Sequence, residues 1–446
     1  MSAPRTLPVQ RTVELVAWLC VLGGFGYLVH TFFRIHYLPA PFVFDVSDTF
    51  MDWYNVAYWA HNPGAYSVWH SVYLPLSFVI TGVFGDPRCY AAHPYDARDC
   101  DVLGIFVILA TYVGCVVVTG IAFYRRDRST ALFRTTAIAL GGPLLFALER
   151  GNLIMLAYIA FVILYGGLVK SKKAVAATAA FLINMKVYLL LPVLAYAVKR
   201  KWRTLELCGL AALALYLATL IIVNAGTPAE LAHNLQVWFN MREGTVWDEV
   251  LYSTTYKPYL LLDERQLPVR DFVEQRWIDA AKTFIVYEVI ASRAIALLCI
   301  AWSWFYPRAV TISRLAFFIL MQSFIGQNPG GYAISFLVFL LFLERKRGFL
   351  IGSAIFLAYM VSIASDSSIT IITKVTRESW LAGRMVDSAY ALPLGALIRP
   401  GLLVIILWLV AIDTIIDLHR AVKSERPLVD LARRAGSPLA PAARAV

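Results

Sequence analysis

Hydrophobic positions in this chain fall in long unbroken runs, not in stripes that would leave a polar face. Twelve runs stand out: residues 13–33, 103–123, 131–148, 153–169, 174–186, 187–198, 204–225, 282–306, 309–327, 331–343, 348–366 and 400–417. A helix needs about 20 apolar residues to cross a bilayer, and shorter ones serve where other helices surround them. The pattern predicts an all-α fold, a polytopic transmembrane helical bundle of about 12 spans. Runs 174–186 and 187–198 are short, and read either as spans or as a hairpin dipping into the bilayer. The first run is too long for a signal peptide and lacks a small-residue cleavage site, so it is expected to be an anchor.

Polar interruptions set the expected sides. Arg5 and Arg11, the connections YRRDR, KSKK, KRKWR and ERKR, Arg308 and the residues after Asp417 hold 22 of the 40 basic residues. Placing all of them in the cytoplasm puts them on the shorter loops, as the positive-inside rule requires, with both termini inside. The expected layout is a cytoplasmic segment 1–12, one membrane domain 13–417 and a flexible basic tail 418–446. Outer loops with interfacial helices would cover about 34–102, 226–281 and 367–399. Segment 69–84 is too short to span and would reverse every later basic loop, so it is expected to lie at the interface, with Trp69 and Tyr73 among the headgroups. Composition agrees: 59% hydrophobic, 15% charged and a mean hydropathy of +0.65 argue against a soluble enzyme, a disordered chain or a fibre. The net charge of +11 then reports topology and gives no reason to expect a nucleic-acid partner. Oligomeric state is not legible.

The densest polar feature follows the first run, in Phe44-Asp45-Val46-Ser47-Asp48-Thr49-Phe50-Met51-Asp52-Trp53-Tyr54-Asn55. Asp48 and Asp52 are four apart and would share a helix face, with Ser47 or Asp48 as the cap. Among so many aromatic residues a carboxylate can be kept partly desolvated as a proton acceptor. A capped interfacial helix with two solvated acids is the alternative. Glu149-Arg150-Gly151-Asn152 joins two apolar runs. It reads as an ion pair capping helix ends, or as an arginine fork for phosphate assisted by Asn152. Lys186 sits at the apex of the short hairpin, beside Asn184 and Tyr188. It either snorkels to the surface or meets an anionic headgroup. Asn328 lies in an outer turn, and His233 in the second outer loop is a candidate for substrate contact, with Arg242, Asp248, Glu249, Lys257, Asp263 and Arg265. Glu288 and Arg293 share the eighth run, as pathway residues or as a buried pair. Cys89 and Cys100 in the first outer loop are either a disulfide or two thiols; Cys20, Cys115, Cys208 and Cys299 lie in spans as packing residues.

The chain has no GxxxxGK[ST] motif, no GxSxG elbow, no His/Cys metal-ligand spacing and no visible internal repeat. Neither a nucleotide nor a metal is expected as cofactor.

The order of these elements carries a resemblance. A first span is followed by Asp48-Thr-Phe-Met-Asp52-Trp-Tyr-Asn55, then Arg150-Gly-Asn152, then Asn184-Met-Lys186-Val-Tyr188 in a short hairpin. Over roughly residues 13–345 this resembles the bacterial membrane glycosyltransferase-87-like family, once a domain of unknown function, and the GT-C fold more broadly. The resemblance implies an inner-membrane hexosyltransferase whose active site faces the periplasm. It implies a polyprenyl-phosphate sugar as donor and a lipid-linked or cell-envelope glycan as acceptor. Asp48 would be the general base, with Asp52 second and Asp45 third. Arg150 and Lys186 would neutralise the departing phosphate, with Asn152 and Asn328 assisting and Tyr188 alongside. The family's lysine is often followed by an aromatic-proline pair, whereas here Tyr188 precedes Leu189 and Pro192 comes later. Two other functions fit a polytopic chain: a polysaccharide polymerase or ligase using lipid-linked repeats, and a non-enzymatic lipid or solute transporter.

Overall fold

A computed structural model describes residues 8–42, 45–240, 273–326, 330–345 and 348–434. Asn328 and the second-loop residues from Arg242 to Arg265 lie outside these. The chain is mostly helical. Helix α1 (Pro8–Ile35) leads to three short helices, α2 (Met51–His61), α3 (Pro75–Val83) and α4 (Pro94–Cys100), and then to α5 (Val102–Arg126). There follow α6 (Ala131–Ala139), α7 (Gly142–Glu149), α8 (Ile154–Tyr165) and α9 (Lys172–Met185). A 3-10 turn at Val187–Leu189 opens the short pieces α10 (Leu190–Val193) and α11 (Ala195–Val198), before α12 (Trp202–Val223) and α13 (Pro228–Asn240). The last helices are α14 (Gln275–Phe305), α15 (Ile312–Gly326), α16 (Ile334–Phe342), α17 (Phe349–Val361) and α18 (Leu394–Arg434), with strands β1 (Ser368–Ser379) and β2 (Arg384–Pro393) before α18.

Six helical stretches are long and apolar enough to cross a membrane: Thr12–Ile35, Val102–Arg126, Ala131–Glu149, Trp202–Val223, Gln275–Phe305 and Leu394–Ser424. Others are shorter, including Ile154–Tyr165, Val187–Val198 and Gly331–Phe342. The division follows burial. Long helices present large apolar side chains outward, such as Phe106, Ile221 and Phe284. In α16, by contrast, every residue is buried. Short helices thus form an inner layer and long ones surround it, which removes the usual length requirement from the inner set. The stretch 131–149 is broken at Gly141, where a Cβ would collide with the Ala137 carbonyl. The following N–H, of Gly142, donates to the Ser362 carbonyl at 2.9 Å and pins the break to the end of α17.

Polar groups gather at two ends. At one end lie the acids of the first loop and Arg150. At the other, Arg134 pairs with Glu14 at 2.9 Å, and Arg314 pairs with Glu344 at 2.7 Å and Asp413 at 2.9 Å. Arg126 and Arg200 donate there to the carbonyls of Leu343 and Trp304.

Four expectations need correction. The fold is not all-α, since 368–393 is an antiparallel hairpin with Thr376 opposite Asp387. Its first strand reads Ser-Ile-Thr-Ile-Ile-Thr-Lys-Val-Thr, β-branched enough to favour a pleated strand over an interfacial helix. The last helix does not give way to a loose tail at 418 but continues to Arg434. Neither Ser47 nor Asp48 caps a helix holding both aspartates, because α2 starts at Met51 with Phe50 left-handed at φ 66 as its cap. Arg293, finally, is exposed on α14 and meets no facing carboxylate among the described residues. Segment 69–84 contains only the nine-residue α3, too short to span. Cys89 and Cys100 are disulfide-bonded, with Cα atoms 5.6 Å apart, and close a loop around α4. Cys115, Cys208 and Cys299 are buried, while Cys20 is exposed on α1.

Candidate active site

The first loop reaches its conformation by borrowing backbone partners from the turn after α7. Phe50 N–H donates to the Glu149 carbonyl at 2.8 Å, and Asp52 N–H to the Arg150 carbonyl at 3.0 Å. Two N–H groups at the start of α2 are thereby satisfied without a side-chain cap. This docking leaves no room beside residue 151. Gly151 has φ +63, and a Cβ there would lie 3.0 Å from both Cα and the carbonyl oxygen of Phe50. Gly151→Ala is expected to destabilise the fold by about 1–2 kcal/mol from the left-handed conformation alone, measured as a lower melting temperature in detergent. A substitution at the solvent-open Gly383, also left-handed at φ +61, carries the same backbone cost without the collision. Gly151→Ala should therefore be the more damaging of the two.

With the turns docked, Arg150 bridges both acids. Its Nη1 lies 2.5 Å from Asp48 Oδ2 and its Nη2 2.9 Å from Asp52 Oδ1. Asn152 donates from Nδ2 to the other Asp52 oxygen at 2.6 Å, while its own Oδ1 accepts the Ile154 N–H at 2.8 Å. Tyr95 donates to Asp48 Oδ1 at 3.1 Å. All four carboxylate oxygens are thus held, and each acid has a fixed orientation. Arg150 is nearly enclosed. Burial works against its charge, yet Asp52, Asp48 and Glu149 together hold its pKa well above the ordinary arginine value. Glu149 is buried and accepts from Thr49 at 3.3 Å.

Lys186 completes the cluster from the apex between α9 and the 3-10 turn. Its Nζ sits 4.0 Å from the centroid of the Tyr73 ring, a cation–π contact. Lys186 forms no ion pair among the described residues; burial lowers its pKa to about 8, and the nearby Asp52 opposes that shift. Tyr73 is half-buried; burial first, and then the nearby Asp52, push its phenol well above the usual range. Tyr188 is half-buried, its buried hydroxyl has no hydrogen-bond partner among the described residues, and its ring meets Phe324 edge-on.

The expected residues therefore separate into two groups. Asp48, Asp52, Arg150, Asn152, Lys186 and Tyr188 come together. Asp45 does not join them, because its carboxylate accepts from Ser47 N and Oγ and pairs with Arg377 of the hairpin. His233 is exposed on α13. Asn184, next to the cluster in sequence, spends its amide on the carbonyls of Ala180 and Ala212 and locks α9 to α12. Several participants gave no sequence signal. Arg98 braces the acidic turn from inside the disulfide loop, donating to the carbonyls of Ser47 at 2.6 Å and Thr49 at 3.0 Å. Trp380 at the hairpin tip stacks edge-on against Phe50, and the Arg98 guanidinium lies over its ring.

No family model, no curated protein and no solved structure matches this chain. What the site does must be argued from its own chemistry. It offers two oriented carboxylates, an arginine that holds them, and a second cation with no anion of its own. Among the described residues, no group of three His, Cys, Asp or Glu is placed to hold a metal ion.

Proposed function

We propose that this protein is a membrane glycosyltransferase that moves a sugar from a polyprenyl-phosphate donor to a lipid-linked or cell-envelope glycan. The observation that carries this reading is Lys186, a half-buried cation with no carboxylate partner among the described residues, near enough to the oriented carboxylate of Asp52 to feel its charge. A phosphate leaving group needs a cation, and an attacking hydroxyl needs a base. Asp52 is the base, because of the two acids it is the one on the side of Lys186 and Tyr73. Asp48 acts through Arg150, whose position it fixes. Arg150 is therefore first an orienting group for the acids and second a source of positive potential for the phosphate.

In the transfer, the acceptor oxygen forms a bond to the anomeric carbon as its proton passes to Asp52. The bond from that carbon to the phosphate oxygen breaks, and the phosphate leaves with the electron pair toward Lys186. The orphan Tyr188 hydroxyl is a ready donor for the same group. A groove of about 370 Å³ supports a lipid substrate. Phe25, Phe32, Phe33 and Leu109 line its apolar length, and it ends at Thr49 and Glu149, beside the acidic turn.

The same reading places twelve passes in the bacterial inner membrane, with this end in the periplasm. Supporting it, the connections YRRDR, KSKK and KRKWR all lie at the opposite end, where Arg126 of the first and Lys199 and Arg200 of the third meet carbonyls of Leu343, Pro307 and Trp304. The test is a transfer assay with the purified protein in vesicles, supplied with polyprenyl-phosphate hexoses. Release of polyprenyl phosphate together with a glycosylated acceptor is expected. Turnover only of pyrophosphate-linked oligosaccharides would make the protein a polymerase or ligase instead.

A further inference from the structure

The end of the bundle away from the acidic cluster contains a second cavity, of about 780 Å³. Its wall includes Lys170, Lys172, Arg200, Lys201 and Arg203, and no acidic residue lines it. None of these five cations forms an ion pair among the described residues. Arg200 gives one N–H to the Trp304 carbonyl at 3.0 Å and adopts a left-handed φ of 55, rare for a side-chain-bearing residue. Five like charges around one hollow repel one another, and an anion placed there relieves that repulsion.

Two features name the anion. Trp202 lines the cavity and is 48% exposed, the placement of an amphipathic ring at a membrane–water boundary. Trp202 also starts α12, whose Leu210, Leu213 and Leu217 are exposed along the following turns. The hollow thus opens onto an apolar helix face of the kind acyl chains cover. A soluble phosphate compound would use the charges and leave that face unused. Charges that serve only to orient the chain need no cavity at all.

We propose that this cavity binds the phosphate headgroup of an anionic membrane phospholipid, with the acyl chains along the outer face of α12. Basic pockets at the membrane surface attract such headgroups, each nearby cation adding roughly a fivefold gain in affinity. The proposal is independent of the transferase reading, since no residue is shared with the acidic cluster.

The test is native mass spectrometry of the full-length protein released from micelles containing equal phosphatidylglycerol and phosphatidylethanolamine. The wild type is expected to retain phosphatidylglycerol preferentially. Lys201→Gln with Arg203→Gln should weaken retention by about 25-fold, from two cations removed. Arg125→Gln with Arg128→Gln removes the same charge from exposed positions that do not line the cavity, and should leave retention unchanged. Melting curves check both double variants; if Lys201→Gln with Arg203→Gln misfolds, Lys170→Gln with Lys172→Gln, also on the cavity wall, replaces it. Equal retention in both double variants, or equal retention of the two lipids by the wild type, overturns the proposal. Displacement of the lipid by millimolar inorganic phosphate would assign the site to free phosphate and overturn the lipid assignment.

Discussion

Asp52→Asn is expected to lower the rate of sugar transfer by about 10²–10⁴-fold, the usual contribution of a positioned general base. The substitution keeps the shape and keeps one acceptor for Arg150, so the bundle should melt close to the wild-type temperature. Asp48→Asn should also lose activity, but by disturbing Arg150 and not by removing the proton acceptor. Steady-state transfer with and without formate as an external proton acceptor separates the two: formate should restore part of the activity of Asp52→Asn and none of that of Asp48→Asn. Full activity in both would remove the first loop from the chemistry altogether.

Arg314→Met is expected to be the most destabilising substitution in the chain, by about 3–5 kcal/mol. Arg314 is 2% exposed and is shared by Glu344, Asp413 and Asp417, at 2.7, 2.9 and 3.3 Å. Its removal leaves the buried Glu344 without this cation, while the partly exposed Asp413 and Asp417 each lose one of their partners. By contrast, Arg88→Ala breaks an ion pair with Asp86 in which the arginine is 89% exposed, and should cost next to nothing. Thermal melting in detergent, monitored by intrinsic fluorescence, compares the two directly. A small shift for Arg314→Met would mean that the carboxylates there are neutral or solvated.

Much of this arrangement is legible in the sequence, for a simple reason. Charges interrupting long apolar runs are costly unless partnered, so Asp48, Asp52, Arg150 and Lys186 stand out by their positions along the chain. Their partners do not. Arg150 reads as a cation for phosphate or for its neighbour Glu149, and only three-dimensional docking reveals that it holds two acids about a hundred positions earlier. Tyr95 and Arg98 sit in a loop whose proximity depends on the Cys89–Cys100 disulfide. The helical period expected across Asp48 and Asp52 fails because backbone carbonyls of another turn satisfy the start of α2. The hairpin is legible in principle, from its β-branched run, but hydropathy alone classes it as a loop. The Arg314 network is hidden because Asp413 and Asp417 close the last apolar run while Glu344 opens the distant ERKR connection, and nothing along the chain joins them.

The layering of short helices inside long ones has an electrical consequence. At 1.5 Å per residue, the twelve residues of α8 rise about 18 Å, against about 30 Å for the hydrocarbon of a bilayer. Arg150 and Asn152 stand immediately before α8, Lys186 follows α9, and Tyr332 precedes α16. Where water reaches both ends of these inner helices, a membrane voltage falls over a shorter path along them than through the surrounding lipid. The local field would then be steeper by the ratio of the two thicknesses, with the charged cluster at its edge.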